Sequence, residues 1–228
     1  MQFRSVIDVA STIFFMELNR FLEAVKDEAL FETNLLFAGT DRPQQAQRQV
    51  ADWVRAGKLV QLRRGLYALA EPYRQVKPHP FVVANHLMPA SYVSLHMALS
   101  YYSLIPEHVA EVTSLTTQRP RQWQTPYGRF TFKHVQTDFF YGFEYRAVSQ
   151  TQYAYVALPE KALLDLVYLQ PGGDKPEFLT TLRLQNLDQL NVERLLAFAE
   201  QLAKPKLKQA TQFIARMIEE EANSYQTL

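Results

Sequence analysis

The chain has 228 residues, with 24 Lys and Arg against 23 Asp and Glu, five His and no Cys, for a formal charge of +1. That balance lacks the basic excess common in nucleic-acid-binding proteins. The absence of cysteine excludes disulfides, thiolate metal sites and a thiol nucleophile, in keeping with a reducing compartment. At 47% hydrophobic and 21% charged, the chain can bury one large core or two ordinary ones.

The most apolar early stretch, Val9 to Met16, is about half a membrane span. It is bracketed by Asp8 and Glu17, where a signal peptide needs a basic start, so the reading is a cytoplasmic protein with no membrane partner. Ile7, Phe14, Leu18, Phe21, Leu22 and Val25 recur at helical spacing and predict a first helix over Val6 to Lys26. A shorter helix is expected around Glu32 to Ala38, ended by Gly39. Thr40 and Asp41 then offer caps and Pro43 suits a first turn. Ala46, Val50, Trp53 and Val54 share one face of a third helix that stops at Gly57. The β-prone runs Lys58 to Gln61 and Leu66 to Leu69 flank Leu62-Arg63-Arg64-Gly65, which reads as a tight hairpin. Three helices followed by a hairpin is the order of a winged helix-turn-helix.

Glu71 to Pro80, with Pro72, Pro78 and Pro80, reads as a connector and places a boundary near residue 75. Residues 1–75 are expected to form a winged-helix DNA-binding domain, and residues 76–228 a mixed α/β domain that ends in helices, so the fold class is α+β. In the second domain helices are expected over Phe81 to Leu87 and Ser91 to Ser103. Strands are expected over Val112 to Thr117, Arg129 to Val135, Phe139 to Val148 and Tyr153 to Ala157. A helix from Pro159 through Leu169 follows, then helices over Glu177 to Leu184, Val192 to Ala203 and Lys206 to Glu221.

The near-neutral total hides a local excess. From Arg42 to Arg64 the bases are Arg42, Arg48, Arg55, Lys58, Arg63 and Arg64, and the only acid is Asp52. With Ala46, Val50 and Trp53 turned inward, the third helix presents Gln44, Gln45, Gln47, Arg48 and Arg55 outward. These are the side-chain types that match base edges, Arg to guanine and Gln to adenine. Arg63 and Arg64 at the hairpin tip suit phosphates or a minor groove, and Lys58 adds a cation at the helix end. The candidate DNA-contacting set is therefore Arg42, Gln44, Gln45, Gln47, Arg48, Arg55, Lys58, Arg63 and Arg64, with double-stranded operator DNA as partner. An ordinary solvated helix face with exposed charge accounts for the same residues.

Catalytic readings find less to stand on. Ser94 and His96 on one helix point about 200° apart, and no strained nucleophile elbow surrounds Ser91 or Ser94. His79, His86, His96, His108 and His134 never fall four apart, so no helical metal-ligand pair exists. No phosphate-cradling glycine loop is present, and neither catalytic residues, metal nor cofactor are expected. Two alternatives stay open. Glu160, Lys161 and Asp165 match the residue types of a Mg²⁺-dependent nuclease, against a helix-capping Glu160 and a weak surface ion pair. The chain also reads as a non-catalytic dimeric module built on its first helix and on the amphipathic C-terminal helix carrying Phe213, Ile214, Met217 and Ile218. The tract Lys204-Pro205-Lys206-Leu207-Lys208 ahead of that helix offers auxiliary phosphate contacts or a solvated helix start.

The run from Trp53 to Leu69, WVRAGKLVQLRRGLYAL, resembles the winged-helix end of AbiEi-type abortive-infection antitoxins. Pro89-Ala90-Ser91-Tyr92-Val93-Ser94-Leu95 through Leu99, Leu104-Ile105-Pro106-Glu107, Thr116 to Arg119, Thr125 to Phe130, and Ala157 to Asp165 are similar to its later blocks in the same order. The resemblance spans roughly residues 30 to 225. It implies a bacterial antitoxin and transcriptional autorepressor of a type IV toxin–antitoxin, phage-defence system. Its winged helix would bind inverted repeats in the operon's own promoter, as a possible homodimer. Its C-terminal domain would counter a nucleotidyltransferase-like toxin, or that toxin's target, without a stable complex.

Overall fold

The computed structural model describes residues 18–33 and 43–226, and within them the fold is α+β. Two compact units divide between Leu87 and Met88, with Thr125–Tyr127 grouped into the first. The division falls later than the proline-rich stretch around residue 75. The helix over Pro80–Leu87 belongs with the first unit because Arg63 donates to the His86 carbonyl at its end.

In the first unit, α1 (Leu18–Val25) precedes β1 (Phe31–Glu32), α2 (Pro43–Arg55), β2 (Leu59–Arg63), β3 (Leu66–Leu69) and α3 (Pro80–Leu87). The strands form an antiparallel sheet in the order β1-β3-β2, with Phe31 opposite Tyr67 and Gln61 opposite that same Tyr67. Phe21, Val25, Phe31, Val50, Leu59 and Leu69 make the core, and Trp53 lies 4.7 Å from Phe21 between ring centroids. Val50 and Trp53 turn inward as their helical spacing predicts. Glu32, expected to start a helix, is a strand residue whose neighbour Phe31 packs on Phe21 and Tyr67. The first helix is seen over Leu18–Val25. Its earlier part, the remainder of the expected helix to Ala38, the Gly39 stop and the Thr40-Asp41 cap lie outside the described residues.

The second unit contains β4 (Ser91–Val93), α4 (Leu95–Tyr101), β5 (Glu111–Thr116), β6 (Arg121–Thr125), β7 (Gly128–His134), β8 (Phe143–Ala147) and β9 (Tyr153–Ala157). Then come α5 (Pro159–Leu169), α6 (Pro176–Thr181), α7 (Val192–Leu202) and α8 (Pro205–Gln226). Its sheet is mixed, in the order β6-β7-β5-β4-β9-β8, with β5 parallel to β7 and β4 parallel to β9. Every residue of α5 from Glu160 to Val167 is buried, because α4, α7 and α8 all pack around it. Pro159 starts it in the position where a missing N–H costs nothing.

Three expectations for this unit are corrected. Ser91 to Val93 is a strand, not the start of a helix, since its backbone pairs with Ser114–Thr116. The helix after it covers only Leu95–Tyr101. The expected strand over Phe139 to Val148 shortens to Phe143–Ala147, because Thr137–Phe139 is a 3₁₀ turn and Gly142, at φ 71°, turns the chain into the strand. Strand β6 was not expected. It is a polar edge strand between Pro120 and Pro126.

Candidate nucleic-acid interface and a buried polar cluster

Helix α2 exposes Gln44, Gln45, Gln47, Arg48 and Arg55 opposite its buried Val50. Asp52, one turn before Arg55 and one turn after Arg48, forms an exposed ion pair with Arg55. Lys58 is half-buried where the chain passes from α2 into β2. Arg42 lies outside the described residues.

The hairpin separates its two arginines. Arg64 is exposed at the turn, which Gly65 closes with φ 82°. Arg63 instead folds back along the sheet. Its Nη2 donates to Glu32 Oε1 at 2.8 Å and to the His86 carbonyl at 3.0 Å, its Nε reaches the same carbonyl at 3.3 Å, and its side chain is 25% exposed. Paired cations at the tip were expected to meet phosphate together, but Arg63 is committed to Glu32 and to the end of α3. The signal that could have found this is Glu32 itself, an acid in the strand that joins the same sheet.

In the second unit the Glu160, Lys161 and Asp165 set is not a surface pair. Lys161 is 0% and Asp165 1% exposed. The Lys161 ammonium is ion-paired with Asp165 Oδ1 one helical turn away and donates to the Tyr92 hydroxyl at 2.9 Å. The Tyr92 hydroxyl donates to Asp165 Oδ2 at 3.1 Å, and the Ser94 hydroxyl donates to the same oxygen at 2.7 Å. The ammonium also faces the Tyr92 and Tyr141 rings, 5.2 and 5.3 Å from their centroids. Burial pushes the Asp165 carboxyl up and the Lys161 ammonium down, each opposed by the partner's charge. Burial together with the Asp165 charge pushes Tyr141 up to about 12 and Tyr92 higher still.

Glu160 sits apart from this pair. Its Oε1 accepts from the Asn191 backbone N–H at 2.7 Å, and its Oε2 lies 3.7 Å from the Arg194 guanidinium. It therefore complements the start of α7 as well as standing in the first turn of its own helix, as expected. Enclosed in this way, none of the three groups meets a phosphodiester, and the cluster ties β4 to α5. Sequence reading missed the link of Tyr92 and Ser94 to Asp165 because β4 and the extended residue after it, Ser94, were taken for a helix. In extended backbone, residues two apart share a face, and Ser94 keeps the extended conformation of β4, which aims both hydroxyls at Asp165.

Gly142 backs the cluster. A Cβ there would stand 3.0 Å from Lys161 Cγ and 3.1 Å from the Phe198 ring at a positive φ. Gly142→Ala is expected to cost about 1–2 kcal/mol from the left-handed backbone alone, read as a lower urea midpoint with unchanged slope.

Of the C-terminal basic tract, Lys206 donates to the Tyr168 carbonyl at 3.2 Å and to that of Gln170, closing the end of α5. Lys208 pairs with Glu200. A groove of about 640 Å³ between α4 and the sheet is lined by His96, His108, Glu111, Gln122 and Lys133. Among the described residues no three His, Asp or Glu side chains group to hold a metal ion, and no helix is long and apolar enough to cross a membrane. No family model matches the chain, and no curated protein matches its sequence.

Proposed function

We propose that the chain is a DNA-binding transcriptional repressor whose first unit acts as a winged helix. The observation that carries this reading is the row Gln44, Gln45, Gln47 and Arg48, exposed on a helix that is seated by Val50 on a three-stranded antiparallel sheet. Such a helix presents amide and guanidinium groups of the kind that read base edges in a major groove. Arg64 on the hairpin turn supplies a phosphate contact beside it. The likeness of Trp53 to Leu69 and of the later blocks to AbiEi-type antitoxins supports extending the reading to autorepression of a type IV toxin–antitoxin operon. The second unit is then the part that counters a nucleotidyltransferase-like toxin or its target.

The test is a gel-shift titration of the full chain on DNA from upstream of its own gene and on random duplex. Arg48→Ala is expected to weaken the specific complex by about 1–3 kcal/mol, the worth of one bidentate base contact, and to leave random-duplex binding nearly unchanged. Equal loss on both DNAs overturns base readout by α2, and absence of specific binding by the unaltered chain overturns the repressor reading. The antitoxin part is tested separately, by co-expressing the chain with the neighbouring gene product and scoring growth.

A further inference from the structure

We propose that the chain associates with a second copy of itself through the open edge of β8, forming a two-fold antiparallel strand pair centred on Tyr145. This inference is independent of the DNA-binding reading.

Strand β8 is the last strand of the six-stranded sheet, and its pairing to β9 fixes which of its backbone groups face outward. The Leu158 N–H donates to the Gly142 carbonyl and the Val148 N–H to the Gln152 carbonyl, both at 2.9 Å, and the register runs regularly between these pairs. Even-numbered residues therefore bond to β9. The N–H and C=O groups of Phe143, Tyr145 and Ala147 point to the open side, by the alternation of antiparallel ladders. Among the described residues the Ala147 carbonyl accepts a 3.5 Å contact from the Tyr101 hydroxyl there, and it keeps a second lone pair.

Edges of this kind are normally blunted by charged side chains, lysine above all, by proline, by a bulge or by shortness. The opposite edge, β6, is guarded in that manner, with Pro120 and Pro126 at its ends and Arg121, Gln122 and Gln124 exposed. Strand β8, Phe143-Glu144-Tyr145-Arg146-Ala147, has no proline, no lysine and no register shift, and its two charges are of opposite sign, so they repel a second copy only in some registers.

The order of its side chains is self-complementary. An antiparallel pair with its axis through Tyr145 sets Glu144 of each copy opposite Arg146 of the other, and Phe143 opposite Ala147. Moving the axis to Glu144 or to Arg146 instead opposes like charges, which destabilises a pair. With Tyr145 in a hydrogen-bonded position, the two Glu144–Arg146 pairs fall at non-hydrogen-bonded positions, where opposed side chains come closest. Arg146 donates to Tyr102 in its own chain, and its remaining N–H groups stay available for a carboxylate.

The other face of the same strands is aromatic. Tyr145, Tyr153 and Tyr155 are 62%, 48% and 44% exposed, and their rings contact one another with Tyr145 4.9 Å from Tyr155 and 5.5 Å from Tyr153. A second copy across the edge brings two such clusters side by side, and tyrosine is among the residues enriched in protein interfaces. A two-strand contact with one aromatic cluster is small, so the association is expected in the micromolar range typical of modest interfaces.

The experiment is sedimentation equilibrium of the full chain over a concentration series, with Glu144→Arg, Arg146→Glu, their 1:1 mixture and the double variant, each checked for folding by far-UV circular dichroism. A monomer–dimer equilibrium is expected for the unaltered chain. Each single variant should weaken it at least about tenfold, because like charges then oppose one another. The mixture should dimerise again, since a copy with two arginines faces a copy with two glutamates, and so should the double variant. An unaltered chain that stays monomeric up to about 100 μM, a concentration that populates any micromolar dimer, overturns the proposal. So does a folded Glu144→Arg variant that dimerises like the parent, or folded single variants that do not recover on mixing.

Discussion

Lys161→Met should lower the unfolding free energy by about 3–5 kcal/mol, the cost of leaving one partner of a buried ion pair without its counter-charge. In the intact protein the buried Asp165 carboxylate is met by Lys161, Tyr92 and Ser94. Removing the ammonium leaves two hydroxyl donors to hold a buried negative charge. The deficit depends on pH with a definite sign. Burial already raises the Asp165 pKa in the fold above its unfolded value, so the folded variant binds a proton that the unfolded chain has released. Its stability then falls as pH rises from about 4, the unfolded carboxyl value, and levels off above the raised value in the fold. Adding Asp165→Leu should restore part of the loss, because a buried pair exchanged for apolar groups is often neutral but the Tyr92 and Ser94 hydroxyls then lose their acceptor. Urea unfolding at several pH values checks all three statements. A loss within about 1 kcal/mol, the range of an exposed pair, contradicts the enclosed pair.

The two hairpin arginines should separate cleanly. Arg63→Ala is expected to cost about 1.5–3 kcal/mol, the net worth of hydrogen bonding to a charged group, since it removes the links to Glu32 and to the His86 carbonyl. Arg64→Ala should leave thermal unfolding unchanged. If Arg64 meets a phosphate, its loss lowers the slope of log affinity against log salt by about 0.9. Thermal melts paired with salt-dependent gel shifts measure both. The opposite pattern, a stable Arg63→Ala with a reduced salt slope, would return Arg63 to the phosphate-contacting role expected from its place in the sequence.

Much of the fold is legible because strong periodicity leaves little choice. Ala46, Val50, Trp53 and Val54 mark the inner face of α2. The β-branched and aromatic runs over 112–117, 129–135 and 153–157 mark central strands, and Pro159 marks the start of α5. What escaped depends on partners distant in the chain. Three residues, Ser91 to Val93, are too few to show alternation, and a serine ahead of apolar residues reads equally as a helix cap. Pairing with Ser114–Thr116 on one side and with β9 on the other makes them a strand. A lysine four residues before an aspartate reads as a solvated helical pair. Its burial follows from packing by α4, α7 and α8, which no local window contains. Arg63 reads as a free cation until Glu32 is placed in the same sheet. The exposure of Gln44, Gln45, Gln47 and Arg48 on α2 was legible for the converse reason, since the outward side of a helix follows from its own periodicity.

The tie between β4 and α5 also sets an order of events during synthesis. One core cluster of the first unit is made by residues no later than Leu69, and the unit's last helix ends at Leu87, whereas Tyr92 and Ser94 wait for Asp165 before their hydroxyls meet it. At about 5–20 residues per second, the ribosome needs roughly 5–20 s to cover that interval. During that time the first core can close while the second sheet still lacks its central helix. A nascent chain halted before Asp165 would therefore carry a formed N-terminal core ahead of an unfinished one, and that unfinished stretch is where chaperones and proteases would find it.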